Sequence, residues 1–236
     1  MRSRVTIFVA LMFLATAALN AAGTGFLRVG FTRSVYQPSG GAPDVVQGNM
    51  YYTPNGVVHI EVTSPVSQLI SLTGTQMSIY YPKERKAFIF ESKNPLTLPF
   101  ASAFLGSTRE SFGLPDLGFT AASVTQRGDS VISTWNPPSV TKQAVDRVVL
   151  TEVNGDIVLT ESYTSKGSLS TRATFKRYIS IKQGRVPLEI YNGWQTSKGW
   201  TKEVLLFASP STIPTLPAHL NNFTIPSDVV PRKVQW

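Results

Sequence analysis

Val57-Val58-His59-Ile60-Glu61-Val62-Thr63-Ser64-Pro65 is the stretch on which the fold turns. Val58, Ile60 and Val62 alternate with Val57, His59, Glu61 and Thr63, and successive side chains of a strand point to opposite faces. One face of such a strand meets a core and the other meets water. On this reading His59 lies opposite the apolar row and is expected in solvent, as is Glu61.

The same period of two extends outward on both sides. Leu27, Val29, Phe31 and Val35 are apolar, with Arg28, Thr32 and Ser34 between them. Ile70 and Leu72 flank Ser71, Met77, Ile79 and Tyr81 flank Ser78 and Tyr80, and Phe88 and Phe90 follow. Later segments at 131–135, 145–152, 157–163, 169–181, 186–191 and 200–207 alternate in the same way. Turn chemistry separates them, as at Pro54-Asn55-Gly56, Thr73-Gly74, Pro82-Lys83-Glu84, Arg127-Gly128-Asp129 and Asn154-Gly155-Asp156. Connections this short join antiparallel neighbours, because parallel strands need long crossovers. A mainly β meander follows.

One segment breaks the pattern. Residues 99–113 (PFASAFLGSTRESFG) space Phe100, Ala103, Phe104 and Phe112 at roughly helical intervals. Pro99 suits a first helical turn, and Gly113 with Pro115 marks a stop. Such a helix either plugs the open end of a barrel or forms a lid over a ligand cavity. The tail 209–236 contains Pro210, Pro214, Pro217, Pro226 and Pro231 and is expected to wrap the surface in extended form.

Composition narrows the function. The 236 residues are 42% hydrophobic and only 15% charged, with 17 Gly, 16 Pro and no Cys. Without Cys there are no disulfides, thiol nucleophiles or thiolate metal ligands. The two His, His59 and His219, are far apart in sequence and give little basis for a metal site. Arg2 and Arg4 precede an apolar run from Val5 to Leu19, and the small residues Ala21, Ala22 and Gly23 follow. This order is that of a secretory signal, and the run is shorter than the roughly 20 residues that span a bilayer. Cleavage is expected near Ala21 or Ala22, making 1–22 a signal peptide and 23–236 a single domain. An exported chain without disulfides fits a bacterial periplasm better than a eukaryotic exterior, although Asn222-Phe223-Thr224 is a glycosylation triplet.

Catalytic signatures are sparse. No G-x-S-x-G pentapeptide occurs, and Ser139-Val140-Thr141-Lys142 matches S-x-x-K without the companion motifs. The 14 acidic residues are scattered, and Gly23-Thr24-Gly25 does not join a strand to a helix as a phosphate loop does. The net charge of +8 is spread thinly, with Lys83-Glu84-Arg85-Lys86 as its densest run and with the look of a hairpin tip. No basic cluster interleaves with aromatics, so nucleic acid is not expected as a partner. An acidic partner or an anionic lipid surface suits a basic exported chain better. The sequence argues for a binding protein rather than an enzyme, with no catalytic residue, metal or cofactor assigned.

Residues 31–92 resemble the LolA family of periplasmic lipoprotein carriers. The resemblance rests on the order and spacing of several pieces. Phe31-Thr32-Arg33, Gln47-Gly48-Asn49-Met50-Tyr51-Tyr52, Thr53-Pro54 and His59-Ile60-Glu61-Val62-Thr63-Ser64-Pro65 come first. Ser67-Gln68-Leu69-Ile70, Thr73-Gly74 and Ile79-Tyr80-Tyr81-Pro82-Lys83 complete the run, and Asn222-Phe223-Thr224-Ile225-Pro226 is similar to the family's closing strand. The chain departs from the family in placing Thr53 where a cation usually precedes the Pro. It also has Val58 at an aromatic lining position, and only a few residues separate the expected cleavage site from Phe26, so the family's long first helix is expected to be missing.

The resemblance implies an incomplete, strongly curved antiparallel β-barrel of about 11 strands with short helices covering its cavity. It implies a periplasmic chaperone that holds the acyl chains of lipoproteins and transfers them from the inner to the outer membrane. A lipid-binding sensor, or a carrier of a different amphiphile on the same fold, is the alternative. The implied partners are acylated lipoproteins or other lipids, an inner-membrane lipoprotein-releasing transporter and an outer-membrane receptor, with the chain acting as a monomer. Alternation then assigns the acyl-chain lining to Phe31, Met50, Val58, Ile60, Val62, Ile70, Leu72, Met77 and Ile79, with Phe100 and Phe104 facing inward from the helix.

Overall fold

A computed structural model describes residues 25–53, 56–92, 99–181, 184–221 and 223–235. The signal segment, Pro54 and Asn55 of one turn, and Asn222 of the glycosylation triplet lie outside the described residues.

Alternating segments become strands wherever a short turn lets each pair with its predecessor. Six strands open the chain: β1 (Phe26–Tyr36), β2 (Asp44–Tyr52), β3 (Val58–Ser64), β4 (Gln68–Thr73), β5 (Gln76–Tyr81) and β6 (Lys86–Glu91). Helix α1 (Pro99–Ser107) and two 3-10 turns at Glu110–Gly113 and Pro115–Leu117 lead into the second run. That run comprises β7 (Thr120–Arg127), β8 (Ser130–Asn136), β9 (Arg147–Val153), β10 (Asp156–Tyr163), β11 (Leu169–Ile181), β12 (Gly184–Thr196) and β13 (Gly199–Ile213). Helix α2 (Ala218–Asn221) and β14 (Arg232–Gln235) close the chain.

All fourteen strands of the described residues form one sheet in the order β14-β6-β5-β4-β3-β2-β1-β13-β12-β11-β10-β9-β8-β7. The expected count of about 11 is therefore too low. The short β14, which pairs in parallel with β6, and the fully exposed β7 lack a strong alternating pattern. Every other ladder is antiparallel, and the two half-meanders join through β1 and β13, where Phe31 lies opposite Phe207. The sheet has two edges, so the barrel is unclosed.

Register puts the apolar rows on one face. Val29 pairs with Met50, Met50 with Ile60, Ile60 with Ile70 and Ile70 with Ile79. Gly48 stands opposite Val62, where a Cβ would come within 2.1 Å of the Glu61 carbonyl oxygen. Only glycine lets β2 and β3 approach at that point. Side chains of this concave face, together with α1, form the main core, with Met50, Ile60, Phe104, Leu150, Ile190 and Leu205 fully buried.

The convex side of β2–β4 is covered as well. Leu216 and Leu220 of the tail pack on Tyr51, with Phe26, Leu69 and Ile213 around them. His219 Nε2 lies 3.2 Å from Glu61 Oε1, and Arg85 pairs with Asp228. The tail is thus not simply extended. Its first residues continue β13, and the rest folds into α2 and β14.

This cover corrects the expectation for His59, which is 8% exposed rather than solvated. It does lie on the face opposite Ile60, beside Tyr51 and Ser71, but the tail shields that face. Its Nδ1 has no hydrogen-bond partner among the described residues, and burial lowers its pKa from the ordinary value.

Candidate functional site

Strand register and one helix bring the candidate lining residues together. Phe31, Met50, Val58, Ile60, Val62, Ile70, Leu72, Met77 and Phe104 are all buried in the main cluster, and Ile79 packs against it half-exposed. The side chain of Phe100 lies outside the described residues. The concave apolar face is therefore continuous from β1 to β5.

Helix α1 rests inside this face. Its Phe104 ring is 4.6 Å from Phe207 and stacks on Tyr52 at 5.9 Å. The helix is shorter than the expected 99–113 because its end is capped by its own hydroxyls. Ser107 Oγ donates to the Phe104 carbonyl at 2.6 Å and Thr108 Oγ1 to that of Leu105 at 2.8 Å. The chain then reverses through Ser111 and Phe112, both at positive φ. Phe112 folds back so closely that a Cβ on Gly106 would fall 2.7 Å from its ring, while the same ring meets Phe175 at 5.7 Å. Ala101, Ser102, Ala103, Phe104, Gly106 and Ser107 are all buried. A helix covered on more than one side is embedded rather than laid on a surface.

Among the described residues few polar bonds fasten the helix to the sheet, one of them between Ser107 and Tyr178 of β11. The Tyr52 hydroxyl donates to the Ala101 carbonyl at a long 3.5 Å, and burial raises the Tyr52 pKa, which keeps the phenol neutral. Apolar contact dominates this interface, and hydrocarbon of another origin could make the same contacts.

Thr53, at the position where the family places a cation, turns inward on its own loop. Its hydroxyl donates to the Val57 carbonyl at 3.0 Å and accepts from the Val57 amide at 2.8 Å. It closes a turn between β2 and β3.

Sequence reasoning missed a polar zone on the concave face of the second half. Register aligns Ser133, Leu150, Thr160, Ala173, Asn192 and Glu203 across six strands. Glu203 has 1% of its side chain exposed, accepts from Arg33 Nε at 2.6 Å and accepts from Asn192 Nδ2 at 2.6 Å. The signal was present: Arg33 sits in phase with Phe31 and Val35, and Glu203 in phase with Leu205 and Phe207. A charge on an apolar phase demands a partner. Nearby in sequence to the helix, Glu110 acts on Glu152, whose pKa is raised by burial first and by that like charge second.

Among the described residues no group of three His, Asp or Glu side chains converges as a metal site. The S-x-x-K residues Ser139 and Lys142 are both exposed in the loop between β8 and β9. A separate cleft of about 510 Å³ lies on the convex side, between Ser71, Ser78 and Ile89 of the sheet and Phe223, Ile225 and Val229 of the tail.

No protein-family model and no curated protein matches the sequence. Solved structures do match. A LolA superfamily protein from Nitrosomonas europaea superposes with a TM-score of 0.57 at 15% identity, covering 87% of this chain and 94% of its own. A DUF1329 family protein from Desulfovibrio piger gives 0.56 at 13% identity, covering 86% and 92%. An outer membrane lipoprotein-sorting protein domain from Vibrio parahaemolyticus gives 0.50 at 12%, covering 85% and 91%. The chain has the LolA-like fold, a strongly curved and unclosed antiparallel sheet with helix α1 on its concave side.

Proposed function

We propose that the concave face holds hydrocarbon, and that the protein is an exported carrier of acyl chains operating in the periplasm. The observation that carries this reading is the continuous buried apolar surface from Phe31 to Met77, filled by α1 largely through nonpolar contact. Each CH₂ taken from water onto such a surface is worth about 0.8 kcal/mol, so a few acyl chains would compete with the helix without any specific polar contact. Loading then means that α1 gives way, and release means that it returns. The cargo is the acylated end of a lipoprotein, received from an inner-membrane transporter and passed to an outer-membrane receptor. The likeness of fold to a lipoprotein-sorting domain supports this reading. Holding cargo this way asks for no nucleophile, metal or cofactor.

A lipopeptide with a photoactivatable acyl chain tests the proposal. Incubated with the purified chain and irradiated, it should attach to peptides carrying Ile60, Met77 or Phe104. Attachment confined to the convex cleft, or no retention of the probe, would overturn the reading.

A further inference from the structure

Strand direction sorts the surface side chains into two ends of the sheet. At one end lie the turns β1–β2, β3–β4, β5–β6, β10–β11 and β12–β13 and the loop β8–β9. Pairings such as Tyr36 with Lys202, Val35 with Asp44, Tyr81 with Lys86 and Tyr163 with Arg147 fix that end. Pro38 comes within 3.4 Å of a Cβ built on Gly199, so the first and last of these turns touch.

This end collects two kinds of exposed residue. Lys83, Lys86, Lys142, Lys166, Lys198 and Lys202 are all exposed, and none of the six makes an ion pair among the described residues. The acids nearby are Asp44, Glu84, Asp146 and Asp228, of which Asp146 and Asp228 are taken up by Arg147 and Arg85. The same end carries Tyr36, Val45, Val66, Val140, Trp200 and Val230, with Val140 85% and Val230 91% exposed. These are six of the nine large hydrophobics exposed among the described residues, and the other three, Val124, Tyr191 and Leu206, lie in the middles of strands. Among the described residues the opposite end has no such excess of cations: Glu91 and Asp129 stand against Arg127, and Arg185 is paired to Asp156 at 2.7 Å.

We propose that this rim docks on an anionic phospholipid surface, its lysines on the headgroup phosphates and its Val, Tyr and Trp side chains among the upper acyl carbons. Both components are needed. Lysines alone would attract any polyanion, and apolar side chains alone would favour any hydrophobic partner. Interleaved at one end of a sheet, they match an interface that is negative at its surface and greasy just beneath. Long lysine stems reach past the apolar groups to keep their charges in the headgroup layer. The docking surface is set by strand topology rather than by the concave face, so it stands apart from the acyl-carrier reading.

Co-sedimentation of the purified full chain with vesicles tests it. Vesicles of phosphatidylglycerol and phosphatidylethanolamine should bind the chain at low salt, and less at physiological salt, where screening acts over about 8 Å. Phosphatidylcholine vesicles should not bind it. Reversing two rim charges, Lys83→Glu with Lys202→Glu, should weaken partitioning by about 30-fold or more. Reversing two exposed charges elsewhere, Arg127→Glu with Lys176→Glu, changes net charge equally and should cost far less. Val140→Asp should lower binding by about tenfold, since it removes an inserted side chain and adds a repelled one. Absence of binding to anionic vesicles overturns the proposal, as does equal binding to phosphatidylcholine. Equal losses for the two double variants would also overturn it, because only the total charge would then matter. Because the assay needs no acylated cargo, its outcome is separable from the photolabelling result.

Discussion

The strands β3 and β7 are of similar length and lie in the same sheet, yet their surroundings differ in every respect. In β3, Val58, His59, Ile60 and Val62 are buried, because α1 and the neighbouring apolar strands occupy one side and the tail occupies the other. In β7 all eight residues are exposed, and β8 is its strand partner. The difference teaches that alternation reports on only one side of a sheet. A period of two tells which residues face a core, but whether the second face is wet depends on what the rest of the chain lays over it.

The largest effects should come from the two covers that make β3 a buried strand. Phe104→Ala removes a fully buried ring between Tyr52 and Phe207 and should cost about 3–5 kcal/mol in a urea melt. Leu220→Ala, in the tail, should cost about 2–4 kcal/mol, because Leu220 is only 1% exposed beneath its cover. If Leu220→Ala were neutral while Phe104→Ala was severe, the convex cover would be superficial and β3 would resemble β7 more than the structure indicates. Unequal effects on cargo would sharpen the contrast: the Phe104 variant should retain more acylated probe, relative to its folded fraction, and the Leu220 variant should retain the same amount as the unmodified chain.

A smaller effect follows from the imidazole trapped between β3 and the tail. Burial lowers the His59 pKa below the ordinary 6.5, so the folded chain resists a proton that the unfolded chain accepts. Below about pH 6.5 the unfolded state therefore binds more protons, and stability falls as the pH drops; above that value this group contributes no slope. Glu61 and Tyr51 lie on the same face, and His219 reaches it from the tail. His59→Gln should flatten the decline in urea midpoint between about pH 8 and pH 5, whereas His219→Gln should leave the His59 contribution in place. An unchanged slope in His59→Gln would mean that the tail does not shield the imidazole in solution.

Much of the sheet was legible because, within β1–β6 and within β7–β13, each strand lies next to its sequence neighbour. The segment at 169–181 coincides with β11, Phe88 and Phe90 fall in β6, and the inward phase of Val58, Ile60 and Val62 is the one observed. Three things were not legible, and each depends on residues far apart in the chain. His59 is buried by a tail some 160 positions later, which no local pattern records. Glu203 finds Arg33 170 positions away, so its place on an apolar phase signalled a buried charge without naming the partner. The helix ends early because Ser107 and Thr108 bond back to its last carbonyls, and because Phe112 returns onto Gly106.

The smallest expected effect lies at the exposed edge. Val124, in the middle of β7, is 64% exposed and faces Ser133 across the ladder. A side chain that leaves little water behind on folding has little hydrophobic free energy to lose, so Val124→Lys should change stability by no more than about 0.5 kcal/mol. The substitution also tests the edge itself. An unpaired strand rim is open to another chain, and lysine is a common means of keeping it single. If the chain remains monomeric and equally stable with Lys at 124, β7 is a solvated edge, as the structure has it. A loss approaching that of Leu220→Ala would require something to cover β7 in solution, and the contrast with β3 would then be one of degree.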